Sequence, residues 1–256
     1  MIHDMNVIVP TDRGVECHRD SILVCGVDPG ITNMSFWVGS YDPNTFKVRT
    51  LRLDKCIAGD VPSSSPNDNN NQTGKKQHSV QSLSADSAMA FADMCAERNV
   101  DVVVVETAPQ WNMPIRLSAA TIYGVFRGRG VRNVKFSSPS TKAKAINFFA
   151  ERLGISDDLE RPSDGVGDKL DKKVSSKIRL MNKRNAIRVV HRLLEYSDDA
   201  VGMESFSTNA KKQDDMADAL LLGCGAAFDV QKARDAESKK KNARSKLRSR
   251  STTSGE

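Results

Sequence analysis

A run of valines at residues 100–105 constrains the fold more than any other feature of the sequence. Five of these six residues are valine, the exception is Asp101, and Glu106 follows directly. β-Branched residues favour strands, and a strand without polar alternation is typical of the centre of a sheet that is buried on both faces. The sequence therefore predicts a central strand in a sheet that helices flank.

Shorter apolar runs predict four more strands. Residues 22–27 end at Asp28-Pro29-Gly30, and residues 34–39 and 47–53 are separated by Asp42-Pro43-Asn44. These tight turns predict that the first three strands form an antiparallel meander. Residues 131–136 predict a fifth strand, after the valine run.

The spacing of apolar residues predicts five helices, over residues 80–97, 115–127, 141–153, 182–196 and 213–228. Residues 154–175 are polar and rich in Gly and Asp, which predicts a long loop. The resulting order, β-β-β-α-β-α-β-α-α-α, describes an α/β fold with a mixed five-stranded sheet flanked by helices.

The apolar residues are concentrated in one part of the chain, which predicts a single folded domain over residues 21–230. Residues 1–20 are expected to form a flexible extension. Residues 56–79 are rich in Pro, Ser, Asn and Asp and are expected to be a disordered insert. Residues 231–256 are expected to be a basic, disordered tail.

The formal charge of +6 and the pI of about 9.1 favour a polyanionic partner. Part of this charge lies in the basic run at residues 239–250. That run is open to three interpretations, namely a solvated tail, nucleic-acid contact or nuclear import.

The sequence has five cysteines, an odd number, and no two of them have CxxC spacing. Neither a disulfide framework nor a zinc site is therefore predicted. Cys25, Cys95 and Cys224 have apolar neighbours and are predicted to be core residues in a reducing compartment. The sequence shows neither a signal-peptide core nor a bilayer-spanning run, so we expect a soluble, intracellular protein without a membrane partner.

Single acidic residues at the ends of apolar strands are the first candidates for catalytic or metal-binding residues. Asp28 ends the first strand and Glu106 ends the fourth. A charge in such a place is costly unless something satisfies it. Each residue also has a structural interpretation, because Asp28 can start an Asx-turn and Glu106 can cap the next element.

A third acidic group opens the last predicted helix, which is otherwise apolar. Asp214 and Asp215 lie four and three residues before Asp218, so either one shares a helix face with it. Like charges on one face repel, and a divalent cation between them would remove the repulsion. The helix dipole explains Asp214 well and Asp218 poorly, because Asp218 lies beyond the first turn.

Carboxylates from two strand ends and one helix suit the oxygen ligation that Mg²⁺ prefers. Two such ions about 3.5–4 Å apart can activate water and stabilise the leaving oxygen in phosphodiester hydrolysis. Spacing along the sequence does not show that these carboxylates converge, which depends on the fold.

Three segments resemble the acidic motifs of RuvC-type resolvases, a family of the ribonuclease H-like superfamily. They are Gly26-Val27-Asp28-Pro29-Gly30-Ile31-Thr32-Asn33, Val105-Glu106 and Asp215-Met216-Ala217-Asp218-Ala219-Leu220. The resemblance covers residues 22–228 without the insert. The insert and basic tail are more similar to the poxvirus and large DNA virus branch of the family.

This resemblance implies a ribonuclease H-like fold and a metal-dependent endonuclease that resolves four-way (Holliday) DNA junctions. Resolution would proceed by paired, symmetric hydrolysis in a homodimer bound to branched double-stranded DNA. The implied cofactor is Mg²⁺, with two ions at each site and Mn²⁺ able to substitute, and no nucleotide cofactor. The implied setting is an infected host cell, with a mitochondrial homologue as the alternative.

The resemblance also assigns roles to residues. Asp28, Glu106, Asp215 and Asp218 would bind the metal, and the DxxD spacing of the family selects Asp215 over Asp214. Lys142 matches a functional lysine of these enzymes, with Lys144 as the alternative. A second basic position of the family is matched by Lys183, and further candidate DNA contacts are Arg116, Arg127 and Arg129.

Glu106 is followed by Thr107-Ala108-Pro109-Gln110-Trp111, whereas related enzymes tend to have Gln or Arg next. Trp111 can stack on an unpaired base at an opened junction, although burial against the neighbouring helix is the favoured interpretation. Residues 187–194 and 217–227 are candidate dimer surfaces, with core packing as an equally good interpretation.

Three other functions fit parts of the sequence. One is another nuclease of the same fold, acting on RNA–DNA hybrids or flaps. Another is an actin-like or sugar-kinase-like ATPase, because Asp-Pro-Gly-Ile-Thr-Asn resembles a phosphate loop, but no second such turn is evident. The third is a non-catalytic DNA-binding protein, which would have little reason to keep Glu106 and Asp218.

Overall fold

The computed structural model describes residues 20–30, 33–57, 80–108, 111–161 and 172–252. Most of the predicted N-terminal extension and of the predicted insert lies outside the described residues, as do the last four residues of the predicted tail. No described helix combines the length and apolar character needed to cross a membrane.

The described residues form five strands and six α-helices, in the order β-β-β-α-β-α-β-α-α-α-α. The strands are β1 Ile22–Asp28, β2 Asn33–Tyr41, β3 Val48–Ile57, β4 Val102–Glu106 and β5 Val134–Ser137. The helices are α1 Val80–Glu97, α2 Met113–Gly128, α3 Ser140–Arg152, α4 Lys172–Tyr196, α5 Ala200–Thr208 and α6 Gln213–Thr252. Short 3₁₀ turns lie at Ser156–Asp158 and Ala210–Lys212.

The strands form one mixed sheet in the order β3-β2-β1-β4-β5. The first three strands pair antiparallel, and β4 pairs parallel with both β1 and β5. This confirms the predicted five-stranded mixed sheet and the meander. Val27 pairs with Val105, so the next residues, Asp28 and Glu106, lie side by side at the same edge of the sheet.

Helices cover both faces of the sheet, as the valine run predicted. Val102 and Val104 pack in a cluster with α3, α4 and α6. Val103 and Val105 belong to a second cluster, with α1 and α2. A strand alternates its side chains between faces, so each face of β4 supplies one core. The predicted burial of Cys25, Cys95 and Cys224 is confirmed.

Helix α6 approaches β1 unusually closely, because Gly26 has no side chain. A Cβ atom on Gly26 would lie 2.0 Å from the carbonyl oxygen of Ala219 and 2.7 Å from the amide nitrogen of Gly223. This contact holds the first turns of α6 next to the end of β1. Asp218 and Asp28 are thereby brought to the same edge of the sheet.

Helix α4 begins at Lys172, whereas the sequence predicted a start near residue 182. Helix α5 was missed altogether. Its sequence has little helical pattern, but its N-cap, Asp199, accepts hydrogen bonds from Gly202 N at 3.0 Å and from Thr50 N at 2.7 Å. A carboxylate shared with β3 therefore stabilises the start of this helix, and sequence periodicity does not show such a tertiary contact.

The last helix corrects the prediction for the tail. We expected the helix to end near residue 228 and disorder from residue 231, but α6 continues to Thr252. The added segment is rich in Lys and Arg, which are good helix formers. An i,i+4 ion pair between Glu237 and Lys241 adds to this at 3.7 Å.

Candidate active site

Three carboxylates converge at the edge of the sheet where β1 and β4 end. Asp28 ends β1, Glu106 ends β4, and Asp218 lies in the second turn of α6. One oxygen from each carboxylate lies within 4.8 Å of the others. Parallel pairing of the two strands and the close approach of α6 to β1 together explain this convergence.

Lys142, in the first turn of α3, reaches into this group of carboxylates. Its Nζ donates to Glu106 Oε2 at 2.8 Å and to Asp218 Oδ2 at 2.6 Å. Its side chain is only 14% exposed. Lys144, the alternative from the sequence, is exposed and does not line the cavity around the carboxylates.

A network of hydroxyl groups positions Lys142 relative to Glu106. The amide and hydroxyl of Thr107 both donate to the carbonyl oxygen of Ser137, at 2.8 Å and 2.9 Å. The hydroxyl of Ser137 in turn lies 2.6 Å from that of Thr141. The end of β4 is thus linked through β5 to the start of α3. These hydroxyls were not predicted, because isolated Ser and Thr residues at strand ends carry no distinctive sequence signal.

Burial, followed by the charges of neighbouring groups, shifts the pKa values of these residues. Burial raises the pKa of Asp28 well above its usual range, and Glu106 and Asp218 add to this although Lys142 opposes it. Burial likewise raises the pKa of Asp218, again against Lys142. Burial disfavours the Lys142 ammonium, but Asp218, Asp28 and Glu106 outweigh it and raise the pKa of this lysine.

One lysine therefore faces three carboxyl groups. Further positive charge at this place would stabilise the ionised carboxylates. The donors are carboxylate oxygens, the ligands that Mg²⁺ and other hard cations prefer. The residues present thus fit a divalent cation, and they fit a thiol- or imidazole-seeking metal poorly.

The structure separates Asp214 from Asp215, between which the sequence left a choice. Asp214 forms an ion pair with the ammonium of Lys183, which holds its pKa below the usual value despite partial burial. Asp215 lines the same cavity as the three converging carboxylates, but it lies outside their 4.8 Å group. Burial raises the pKa of Asp215, and the neighbouring Asp214 adds to the effect.

The carboxylates open into a cavity of about 1110 Å³. Its lining includes Trp111 after β4, and Arg161, Arg179 and Lys183 from the region of α4. Trp111 is 83% exposed, so the favoured interpretation of a buried tryptophan is wrong. It precedes α2 instead of lying on the inner face of that helix, and its ring is left at the rim of the cavity.

The predicted DNA-binding residues do not form one group. Lys183 lines the cavity, and Arg116 and Lys144 are exposed on α2 and α3. Arg127 donates to the carbonyl oxygen of Val131 at 3.4 Å, and Arg129 pairs with Asp93 at 3.3 Å.

Arg127 and Arg129 lie at the far end of α2, about 20 Å along the helix from its start near the cavity. Neither lines the cavity. Their assignment to DNA contact stays a prediction that the geometry of the cavity does not support. Both arginines are close to Glu106 along the sequence. They are far from it in space because α2 runs back towards the opposite edge of the sheet.

Asn185 is a further residue that sequence reasoning missed. It is buried on α4, accepts from Glu160 N at 3.0 Å and donates to Glu160 O at 2.9 Å. These two hydrogen bonds hold the backbone at Glu160 against α4, and the next residue, Arg161, lines the cavity. A buried Asn in a basic helix is the available signal, since such a residue needs partners for its amide.

Comparison with known proteins gives matches only at the level of structure. No protein-family model and no curated protein matches the sequence. The structure of Thermus thermophilus RuvC matches with a TM-score of 0.50 and 15% identity, covering 83% of this chain and 97% of that one.

Two other solved structures match with lower TM-scores. The yeast mitochondrial Holliday junction resolvase Ydc2 matches at 0.46 and 16% identity, covering 80% of this chain and 78% of that one. The fowlpox virus resolvase, solved with substrate Holliday junction DNA, matches at 0.43 and 17% identity, covering 82% and 99%. The strand order, the flanking helices and the match to T. thermophilus RuvC show that the described part of this chain has the ribonuclease H-like fold of RuvC.

Proposed function

We propose that this protein is a metal-dependent endonuclease that resolves four-way DNA junctions by paired, symmetric hydrolysis. The observation that carries the proposal is the convergence of Asp28, Glu106 and Asp218 around Lys142, in a cavity with a basic rim. RuvC of T. thermophilus, with which the chain shares its fold, has been solved in complex with a Holliday junction substrate.

Asp28, Glu106 and Asp218 would hold a Mg²⁺ ion, and Asp215 in the same cavity would extend the set to a second one. Bound Mg²⁺ would supply an activated water and would neutralise charge on the phosphate, and Mn²⁺ is expected to substitute. The excess of carboxylates over lysine supports this assignment, because a divalent cation relieves their mutual repulsion. The proposed chemistry needs no nucleotide cofactor.

Lys142 would act on the scissile phosphate. Its raised pKa keeps the ammonium charged at neutral pH, and its hydrogen bonds to Glu106 and Asp218 would hold it next to the phosphate that is cut. A fixed positive charge there stabilises the negative charge that develops on the phosphate oxygens. Thr107 and Ser137 would serve as positioning residues, since they link the end of β4 to the start of α3.

The rim of the cavity would bind the DNA backbone. Arg161, Arg179 and Lys183 line one side, and we add the exposed Arg116 and Lys144 from α2 and α3. Basic side chains of this kind contact phosphates and position DNA without reading its sequence. Selection of a junction would then depend on its branched shape.

Trp111 is suited to contact a base at the branch point. Its exposed ring lies at the rim of the cavity that the carboxylates line. Bases at an opened branch point are unpaired, and stacking on an aromatic ring contributes about 1–3 kcal/mol per base.

Two symmetric cuts require two sites, and we propose a homodimer. The two apolar surfaces considered from the sequence are used by the core, since Val189, Leu193 and Leu220 are fully buried. The exposed apolar residues on α2 are a better candidate, because Met113 and Leu117 lie four residues apart and are 54% and 40% exposed. Light scattering of wild type and a Met113→Gln/Leu117→Gln variant would test this face, and an unchanged dimer would contradict it.

The proposed setting is inside a cell, as a viral protein during infection, with a mitochondrial homologue as the alternative. The resemblance of the insert and basic tail to the poxvirus and large DNA virus branch supports the first of these.

A comparison of substrates tests the proposed function against its rivals. The wild-type protein is incubated with Mg²⁺ or with a chelator and labelled four-way junction, flap, RNA–DNA hybrid or linear duplex. We expect paired cuts near the branch of the junction, in the presence of Mg²⁺, with 5′-phosphate ends. Preferential cutting of the hybrid or the flap would identify another nuclease of this fold, and binding without cutting would identify a DNA-binding protein.

A further inference from the structure

The net positive charge of the protein lies in the last part of α6. Residues 232–252 contain nine Lys and Arg and two Asp and Glu, a formal charge of +7. The whole chain totals +6 and Glu256 contributes −1, so residues 1–231 are formally neutral. The basic residues of residues 1–231, including those of the cavity, are therefore offset in formal charge by acidic residues, whereas those of residues 232–252 are not.

This basic segment lies beyond the packed part of the helix. Residues 219–227 are buried against the sheet, and residues 235–242 are all exposed. Arg234 marks the boundary, because its Nη2 lies 2.7 Å from Asp101 Oδ1. The other oxygen of Asp101 accepts from Leu23 N at 2.9 Å. Helix α6 is thus fastened to the domain at Arg234.

The attachment point shows the direction in which α6 leaves the domain. Asp101 directly precedes β4 and Leu23 is near the start of β1, so both lie at the edge opposite Asp28 and Glu106. A helix rises about 1.5 Å per residue, so Lys239 lies about 30 Å along the axis from Asp218 and residue 250 about 48 Å. The basic segment is therefore remote from the carboxylates.

The composition of the segment favours a polyanion over a protein surface. The apolar residues of 235–252 are Ala236, Ala243 and Leu247, and two of these three are alanines, so the segment offers little apolar area to pack against another protein. The ion pair of Lys241 with Glu237 is exposed at 3.7 Å and neutralises little of the charge. The phosphates of a duplex match such a helix, because they form a continuous line of negative charge.

We propose that residues 235–252 form a basic arm that binds the phosphate backbone of duplex DNA away from the catalytic carboxylates. The inference rests on the proposed function only in taking DNA as the partner. The arm contacts duplex whether or not a branch is present, because its distance from the cavity separates it from the branch point. It adds affinity and salt dependence, and the cavity supplies the selection for junctions.

The test replaces Lys239, Lys240 and Lys241 together by Gln, and compares this with replacement of all three by Arg. Gln and Arg have helix propensities close to that of Lys, so both variants keep the helix and only the first loses charge. The dissociation constant for a labelled, unbranched duplex is measured over a range of salt concentrations. Circular dichroism and thermal unfolding are measured for both variants.

For the Gln variant we expect a shallower dependence of log K on log salt, by about 2–3 if each lysine contacts one phosphate. At about 0.1 M salt this corresponds to a loss of at least tenfold in duplex affinity. The Arg variant should bind like the wild type. Equal salt dependence in the Gln variant and the wild type would overturn the proposal, as would equal losses in the Gln and Arg variants.

This result is independent of cleavage. If the wild type cuts no junction but the Gln variant loses duplex affinity, the proposed function fails and the arm stands. If the wild type cuts junctions and the Gln variant binds duplex normally, only the arm fails, and its charge serves another partner.

Discussion

Replacement of Gly26 by Ala tests how the fold builds the candidate active site. The new Cβ would lie 2.0 Å from the carbonyl oxygen of Ala219, where ordinary contact begins at about 3.4 Å. The obstructing atoms belong to the backbone of α6, so no side-chain rotation relieves the clash. Helix α6 must instead move away from β1 by more than 1 Å, the difference between these two distances.

Two consequences follow from this displacement. Overpacking of a core costs about 1–3 kcal/mol, and we expect the upper end because rigid backbone is involved. For a domain of this size, about 3 kcal/mol lowers the melting temperature by roughly 6–12 °C. The movement also separates Asp218 on α6 from Asp28 on β1, and a misplacement of about 1 Å can reduce catalysis about 100-fold.

Thermal unfolding and single-turnover cleavage of a labelled junction measure the two effects. Gly124→Ala is the matched control, because a Cβ there meets no atom within 4 Å. It lies inside α2, where Ala is favoured over Gly by about 0.5–1 kcal/mol, so this variant should be slightly stabilised. A Gly26→Ala protein that melts and cuts like the wild type would refute the close approach of α6 to β1.

Three further predictions concern the cavity. The pKa of Asp28 is raised in the folded protein, so ionisation of this carboxyl lowers the free energy of unfolding. This loss begins as pH rises above the pKa of the unfolded state, about 3.8, and grows until pH passes the folded pKa. Asp28→Asn should therefore stabilise the metal-free protein at neutral pH by on the order of 1 kcal/mol, and the gain should vanish near the unfolded value. Urea unfolding across pH measures this, and a loss of stability at neutral pH would contradict it. Lys142→Gln should lower metal-free stability by about 1–3 kcal/mol, because Glu106 and Asp218 lose the positive charge of the ammonium that they share. Added Mg²⁺ should raise the melting temperature of this variant more than that of the wild type, and equal shifts would argue against a shared site. Trp111→Ala should change stability by less than about 0.5 kcal/mol but weaken junction binding by about 1–3 kcal/mol, with duplex binding unchanged. Equal losses for junction and duplex in a binding titration would argue against base stacking.

The sheet and the acidic residues that end two of its strands could be predicted because the signals are local. The valine run marks the central strand, and Asp28 and Glu106 end strands that pair parallel with adjacent residues in register. The meander follows from tight turns that the sequence shows directly. The choice of Asp215 over Asp214 as a metal ligand came from the family resemblance and stays a prediction; in the structure Asp215 lines the cavity and Asp214 pairs with Lys183.

The features that sequence reasoning missed depend on tertiary structure. Helix α5 relies on a carboxylate that also binds β3, and the exposure of Trp111 depends on where α2 begins. Arg127 and Arg129 follow Glu106 closely along the chain, but α2 carries them to the opposite edge of the sheet. The continuation of α6 does not follow from the pattern of apolar residues, because a basic, polar composition is typical of disordered tails as well as of exposed helices, although Lys and Arg have high helix propensity.

Cleavage of a labelled four-way junction in Mg²⁺ by the wild type and three variants is the most direct test of the proposed site. Asp28→Asn and Asp218→Asn each remove one converging carboxylate, and Asp229→Asn removes an exposed carboxylate elsewhere on α6. We expect paired cuts by the wild type and Asp229→Asn, and no cutting by the other two variants although they still bind the junction. Equal cutting by all four proteins would contradict the assignment of Asp28 and Asp218 to the catalytic site.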